Sequence, residues 1–249
     1  MKKILLISLL TAAVSNAAVE RDICIALDGS GSMGSDNFDI QKNATAQQVE
    51  DGTIVPVDGT VAISVVRFAS SATVEVSRTV IDSAATASAV ADQIRNIAYT
   101  GGTTNMTAAI STCANELNLS NTAGKQIIDL STDGEPDSLT NTIAAADGAI
   151  ADGVDAINAL GTGSGVDKSK LDQIVRPQPS STIPDDGFVV IAPDFNSYTA
   201  AIKEKMTFEA TGKAAASSVA VPFSTGTKTA MAFLMAALSL LFIRKRVEA

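Results

Sequence analysis

The chain has 249 residues, 46% hydrophobic and 18% charged, a composition that supports a packed core and excludes wholesale disorder. It contains no histidine, which removes Ser-His-Asp and Cys-His catalysis, HExxH zinc chemistry and any imidazole general base. With no tryptophan, eight Phe and two Tyr, and 26 Asp+Glu against 11 Lys+Arg between residues 19 and 212, it is also a poor match for nucleic acid.

Residues 1–17 read as a secretory signal. Lys2 and Lys3 supply the positive start, residues 4–14 the apolar run, and Ser15-Asn16-Ala17 a small-x-small cleavage site. The apolar run at 23–27 predicts a buried central strand, and 38–50 has helical character. A second strand is expected at 61–68, and Ala69-Ser70-Ser71 turns the chain into a third at 72–76. Ser83 caps an expected helix running to residue 96, and another spans 105–117. Strands at 126–131, 154–160 and 188–192 complete a set of six, with helices near 141–152 and 196–208. This alternation implies an α/β, three-layer sandwich: a doubly wound, mostly parallel six-stranded sheet with one antiparallel edge strand, within a domain spanning 20–210.

Residues 211–229 are rich in Ala, Ser, Thr and Gly and read as a linker. The 230–249 segment opens with an uninterrupted apolar run of 14 residues, followed by Arg244-Lys245-Arg246. Fourteen helical residues reach about 21 Å against a hydrocarbon core of about 30 Å, so flanking residues or local thinning must make up the difference. The expectation is an exported protein held by this segment in the membrane, its basic end cytoplasmic.

In sheets of this kind, ligands bind beyond the carboxyl ends of the strands. Three oxygen-rich loops are expected there: Asp28-Gly29-Ser30-Gly31-Ser32-Met33 ending the first strand, Gly101-Gly102-Thr103-Thr104-Asn105 opening a helix, and Ser131-Thr132-Asp133-Gly134 closing an apolar strand. Each alone reads as a helix cap or a turn. Together they offer two carboxylates and several hydroxyls, a hard oxygen-only set suited to Mg²⁺ or Mn²⁺. Gly29 to Gly34 also spells GxGxxG, but a dinucleotide site needs an acidic residue closing the next strand, and Glu50 and Asp51 fall in a helix end and a loop. A metal-dependent hydrolase would use Glu135 or Asp137 as a base on metal-bound water, yet no nucleophile–base pair or second metal cluster accompanies them. A structural envelope protein with a vestigial site is the third alternative.

On these residues the chain resembles the von Willebrand factor A domain family. Asp28, Ser30 and Ser32 look like the Asp-x-Ser-x-Ser of the family's metal-ion-dependent adhesion site, Thr104 sits where its threonine does, and Asp133 matches its second acidic position. The doubled threonine leaves Thr103 open as an alternative to Thr104. The stretches Phe38-Asp39-Ile40-Gln41 and Gly187-Phe188-Val189-Val190 are similar to an exported bacterial branch of the fold. The resemblance implies a non-enzymatic adhesion or protein-binding module in which a partner's Glu or Asp completes the shell of the ion. The C-terminus resembles the PEP-CTERM sorting signals of bacterial envelope proteins, although it reads Val221-Pro222-Phe223-Ser224 where those signals carry Glu-Pro. If Asp28 and Thr104 meet at one ion, Cys24 and Cys113 run back from it by similar lengths, about 13 Å each, and a disulfide between them is expected. Two buried free thiols are the alternative.

Overall fold

The computed structural model describes residues 18–119, 124–179 and 187–213. The expected signal at 1–17, most of the 211–229 linker and the 230–249 segment lie outside the described residues. Among the described residues no helix is long and apolar enough to cross a membrane.

Five parallel strands, β1 (Arg21–Asp28), β2 (Val61–Phe68), β4 (Lys125–Thr132), β5 (Ala156–Thr162) and β6 (Val189–Ala192), join the antiparallel β3 (Ala72–Val80) in one sheet ordered β3-β2-β1-β4-β5-β6. Helices α1 (Gly34–Glu50), α2 (Ala84–Arg95) and α6 (Tyr198–Thr211) cover one face, and α3 (Met106–Asn118), α4 (Leu139–Ala151) and α5 (Lys168–Ile174) the other. Strand β1 is central, and its apolar run has the composition of a strand covered on both sides. Ile23, Ile25 and Leu27 join the core under α1, α2 and α6, while Cys24 and Ala26 join the core under α3 and α4. The fold is the expected α/β sandwich with one antiparallel edge.

Helix starts follow their caps. Ser83 accepts from Thr86 N at 3.1 Å, Asn105 Oδ1 from Ala108 N at 3.0 Å and Ser138 Oγ from Asn141 N at 3.3 Å. Helix α5 was not expected from the sequence. Its seven residues bury only Leu171 and Ile174, too few to set up a visible period, although Asp167 caps it through Ser169 N at 2.8 Å. Strand β3 runs to Val80 rather than ending at 76, because an edge strand carrying Glu75, Ser77, Arg78 and Thr79 shows little apolar alternation.

Three features of this scaffold bear on function. First, β2 and β4 flank β1, so the chain leaves β1 and β4 in opposite directions, and their carboxyl ends form the switch point at which sheets of this kind bind ligands. Second, Cys24 on β1 and Cys113 on α3 are joined by a disulfide, with Cα atoms 5.5 Å apart and no exposure of either residue. Third, α6 ends at Gly212 in the left-handed region (φ +68°), packed so closely on Arg21 that a Cβ there would lie 2.6 Å from the guanidinium. Under α6, Lys205 is fully buried between Asp129 of β4 and Glu209, and Asn158 Nδ2 donates to Glu209 Oε1 at 2.9 Å.

Candidate metal centre

Asp28 is the last residue of β1 and has no solvent exposure. Its Oδ1 accepts from Ser30 N at 2.8 Å, which turns the following loop back over the strand end, and its Oδ2 accepts from Thr132 Oγ1 at 2.6 Å. That second bond ties the tip of β1 to the tip of β4. Gln41, buried on α1, holds the Asp28 carbonyl from behind through Nε2 at 2.9 Å.

The hydroxyls continue outward from this acid. Ser30 Oγ and Ser32 Oγ are hydrogen bonded at 3.1 Å, and Ser32 Oγ donates to Asp133 Oδ1 at 2.8 Å. Ser30 is buried, Asp133 half-buried and Ser32 exposed, so the series opens from the sheet end to solvent. The second loop joins through backbone: Gly31 N donates to Gly102 O at 2.8 Å, and Asn105 N to Ala69 O at 2.9 Å. Gly102, at φ +113°, lies so close to the β2–β3 turn that a Cβ would meet Ser70 Oγ at 2.5 Å.

Gly134 shows how the three loops converge. A Cβ built on it would lie 3.4 Å from Ser32 Oγ and 3.6 Å from Thr104 Oγ1. The absent side chain thus leaves a small space bordered by hydroxyls of the first and second loops, with Asp133 beside it. Thr103 is turned elsewhere: its Oγ1 donates to Asp137 Oδ2 at 2.5 Å. Of the two adjacent threonines, Thr104 is the one whose hydroxyl borders this space.

Electrostatics favour a cation here. Burial pushes the Asp28 carboxyl up to about 6, against the hydrogen bonds from Ser30 and Thr132 that favour its charged form. Burial likewise raises Asp133. A buried carboxylate and a half-buried one at the same strand edge are stabilised by a positive ion between them. No group of three or more His, Cys, Asp or Glu side chains suited to a metal occurs among the described residues, so a metal at this edge would rest on the hydroxyls as much as on the two acids. Two carboxylates and three hydroxyls form a hard set that fits Mg²⁺ or Mn²⁺.

The acids weighed for hydrolysis are engaged otherwise. Glu135 pairs with Lys170, and Asp137 accepts from Thr104 N at 2.9 Å as well as from Thr103. Neither is a free base. The dinucleotide reading fails on placement: Glu50 pairs with Arg95 at the end of α1, and Asp51 accepts from Thr53 N in the next loop, both remote from a strand end. The acidic Asp36 also sits in the first turn of α1, where a pyrophosphate would have to lie. Sequence reasoning overlooked Thr132 and Gln41 as supports of Asp28. A threonine ending a strand and a glutamine within a helix carry no signal of such a role.

The von Willebrand factor type A domain model matches residues 22–205 of the chain. No curated protein matches the sequence. Among solved structures, the chain is similar to proximal thread matrix protein 1 from the mussel byssus with a zinc-occupied MIDAS motif, at 19% identity and TM-score 0.61 over 78% of this chain and 49% of that one. It is similar to the pilus adhesin SpaC from Lactobacillus rhamnosus GG at 14% identity and TM-score 0.62, over 78% and 31% of the two chains. The manganese-loaded Plasmodium vivax TRAP protein aligns at 24% identity and TM-score 0.55, over 74% of this chain and 72% of that one. The chain therefore spans about half of the mussel protein and about a third of the adhesin. At these identities the likeness is one of fold.

Proposed function

The chain belongs to the von Willebrand factor type A domain family, and on that premise we propose that it is an exported protein-binding or adhesion module that works through a divalent cation and has no catalytic role of its own. Asp28, Ser30, Ser32, Thr104 and Asp133 are the residues that would hold Mg²⁺ or Mn²⁺. The observation that carries the reading is the hydrogen-bonded series from buried Asp28 through Ser30 and Ser32 to Asp133, with the Thr104 hydroxyl facing it across Gly134. When bound, the ion would supply a Lewis-acidic point open to an outside ligand, because two carboxylates match its charge and leave a position for a partner's Glu or Asp. A surface this acidic repels an acidic partner unless a cation bridges the two.

The zinc-occupied MIDAS motif of the mussel protein and the manganese carried by the Plasmodium protein support a divalent ion, and the pilus adhesin supports a role in attachment. The signal at 1–17 and the apolar segment at 230–243 support export and retention at a bacterial membrane or envelope. Calorimetric titration with Mn²⁺ tests the ion site. Wild type takes up one ion per chain, and Asp28→Ala takes up none while keeping its far-UV spectrum. Equal Mn²⁺ affinity in the two proteins sinks the assignment.

A further inference from the structure

We infer that Asp137 is the positioning residue that selects Thr104, and not Thr103, as the hydroxyl presented to the ion; the inference rests on the metal-site reading above. The loop at residues 101–105 is intrinsically soft, since Gly101 and Gly102 both have positive φ, at +68° and +113°. Its anchors on the β2–β3 turn grip the residues around Thr104: Ser70 Oγ accepts from Thr103 N at 3.0 Å, Ala69 O from Asn105 N at 2.9 Å and Ser70 O from Asn105 Nδ2 at 3.2 Å. Thr104 itself is held from the other side, by Asp137.

The grip has three parts. Asp137 Oδ1 accepts from Thr104 N at 2.9 Å, Asp137 N donates to Thr104 O at 3.0 Å, and Asp137 Oδ2 accepts from Thr103 Oγ1 at 2.5 Å. The first two bonds close a ring that fixes the peptide plane on each side of Thr104, and the third takes the neighbouring hydroxyl out of competition. The residue lies four positions beyond Asp133, so one loop supplies an acid to the site and fixes the hydroxyl that faces it. Outer partners of this kind change metal affinity by about 10–100-fold when removed, although they touch no metal.

Mn²⁺ titration of the full chain separates positioning from charge. Asp137→Ala loses the ring and the Thr103 bond, and its affinity falls about tenfold or more. Asp137→Asn can still accept from Thr104 N and donate to Thr103 Oγ1, so it stays within about threefold of wild type despite the lost charge. Glu135→Gln, which removes the same charge two residues away, behaves like Asp137→Asn. A wild-type affinity in Asp137→Ala overturns the role, and so does an Asp137→Asn as weak as Asp137→Ala, because charge alone would then account for the loss. A second pair does not depend on how Asp137→Ala folds: Thr104→Val loses the ion and Thr103→Val keeps it, and the reverse pattern overturns the selection. Wild-type protein that takes up no Mn²⁺ overturns the metal-site reading, and this role with it, whereas the outcomes above strike the role alone.

Discussion

Replacing Cys24 and Cys113 together by alanine opens a covalent loop whose ends are separated by 89 residues in sequence. In the chain-entropy description, closing a loop of that length stabilises the fold by about 4.6 kcal/mol at 25 °C, through loss of freedom in the unfolded chain. For a domain of about 190 residues each kcal/mol moves Tm by about 2–4 °C, so the double variant should melt about 9–18 °C below the oxidised wild type. Both cysteines are fully buried, so the small voids left by the lost sulfurs act in the same direction. The bond pins α3 to the central strand of the sheet: Cys24 sits in register with Ser64 of β2 and Ile128 of β4, four residues below Asp28. Helix α3 begins two residues after Thr104, so freeing it from β1 should also weaken Mn²⁺ binding. Circular-dichroism melts of the two purified proteins give the first number and calorimetry the second. A Tm difference below about 3 °C would refute the loop-entropy reasoning. Intact mass after alkylation under denaturing, non-reducing conditions checks the premise, and two alkylated thiols per chain would remove it.

Burial, reinforced by the neighbouring Asp129, pushes Glu209 up to about 8 from an ordinary 4.5. The folded chain then holds this proton more tightly than the unfolded one, so the contribution is fully present below about 4.5 and is lost as pH rises to about 8. Glu209→Gln should accordingly lose less stability than wild type between about pH 5 and 8, and melting curves that fall in parallel across that window would count against the buried acid. Gly134→Ala places a methyl 3.4 Å from Ser32 Oγ and 3.6 Å from Thr104 Oγ1, at a backbone conformation that any residue adopts. It should leave Tm nearly unchanged and weaken Mn²⁺ uptake by about tenfold or more; unaltered uptake would show that the ion does not use this space. Truncation after Gly212 should release the domain from the membrane fraction. If full-length and truncated proteins both fractionate as soluble, without cleavage of the former, the anchor reading fails.

The parts of this fold that could be read in the sequence are those where a local pattern and the tertiary environment demand the same thing. Residues 23–27 are apolar because β1 is covered on both faces, and Ser83 and Asn105 stand where helices need caps. Asp28 and Asp133 could be brought together in thought because strand ends in a doubly wound sheet share one edge. The choice between Thr103 and Thr104 was closed to such reasoning. Both threonines bond to a carboxylate 33 positions beyond Thr104, and those bonds exist only after the chain has folded. Gln41 shows the converse. A glutamine within a helix suggests a solvated face, yet it is buried and braces the Asp28 carbonyl. Helix α5 escaped notice because seven residues with two buried apolar side chains give too short a run for a period to emerge.

The packing of Gly212 on Arg21 fixes more than the end of α6. It brings the exit of the described domain to the residue that opens β1, while Asp28 closes the same strand seven residues on. At about 3.3 Å per residue the two stand about 23 Å apart along the strand. A chain that continues from Gly212 toward a membrane therefore leaves from the pole opposite the three loops. Tethered in this way, the domain would carry its candidate ion site at the end farthest from its point of attachment, where the attachment itself leaves a partner's approach clear.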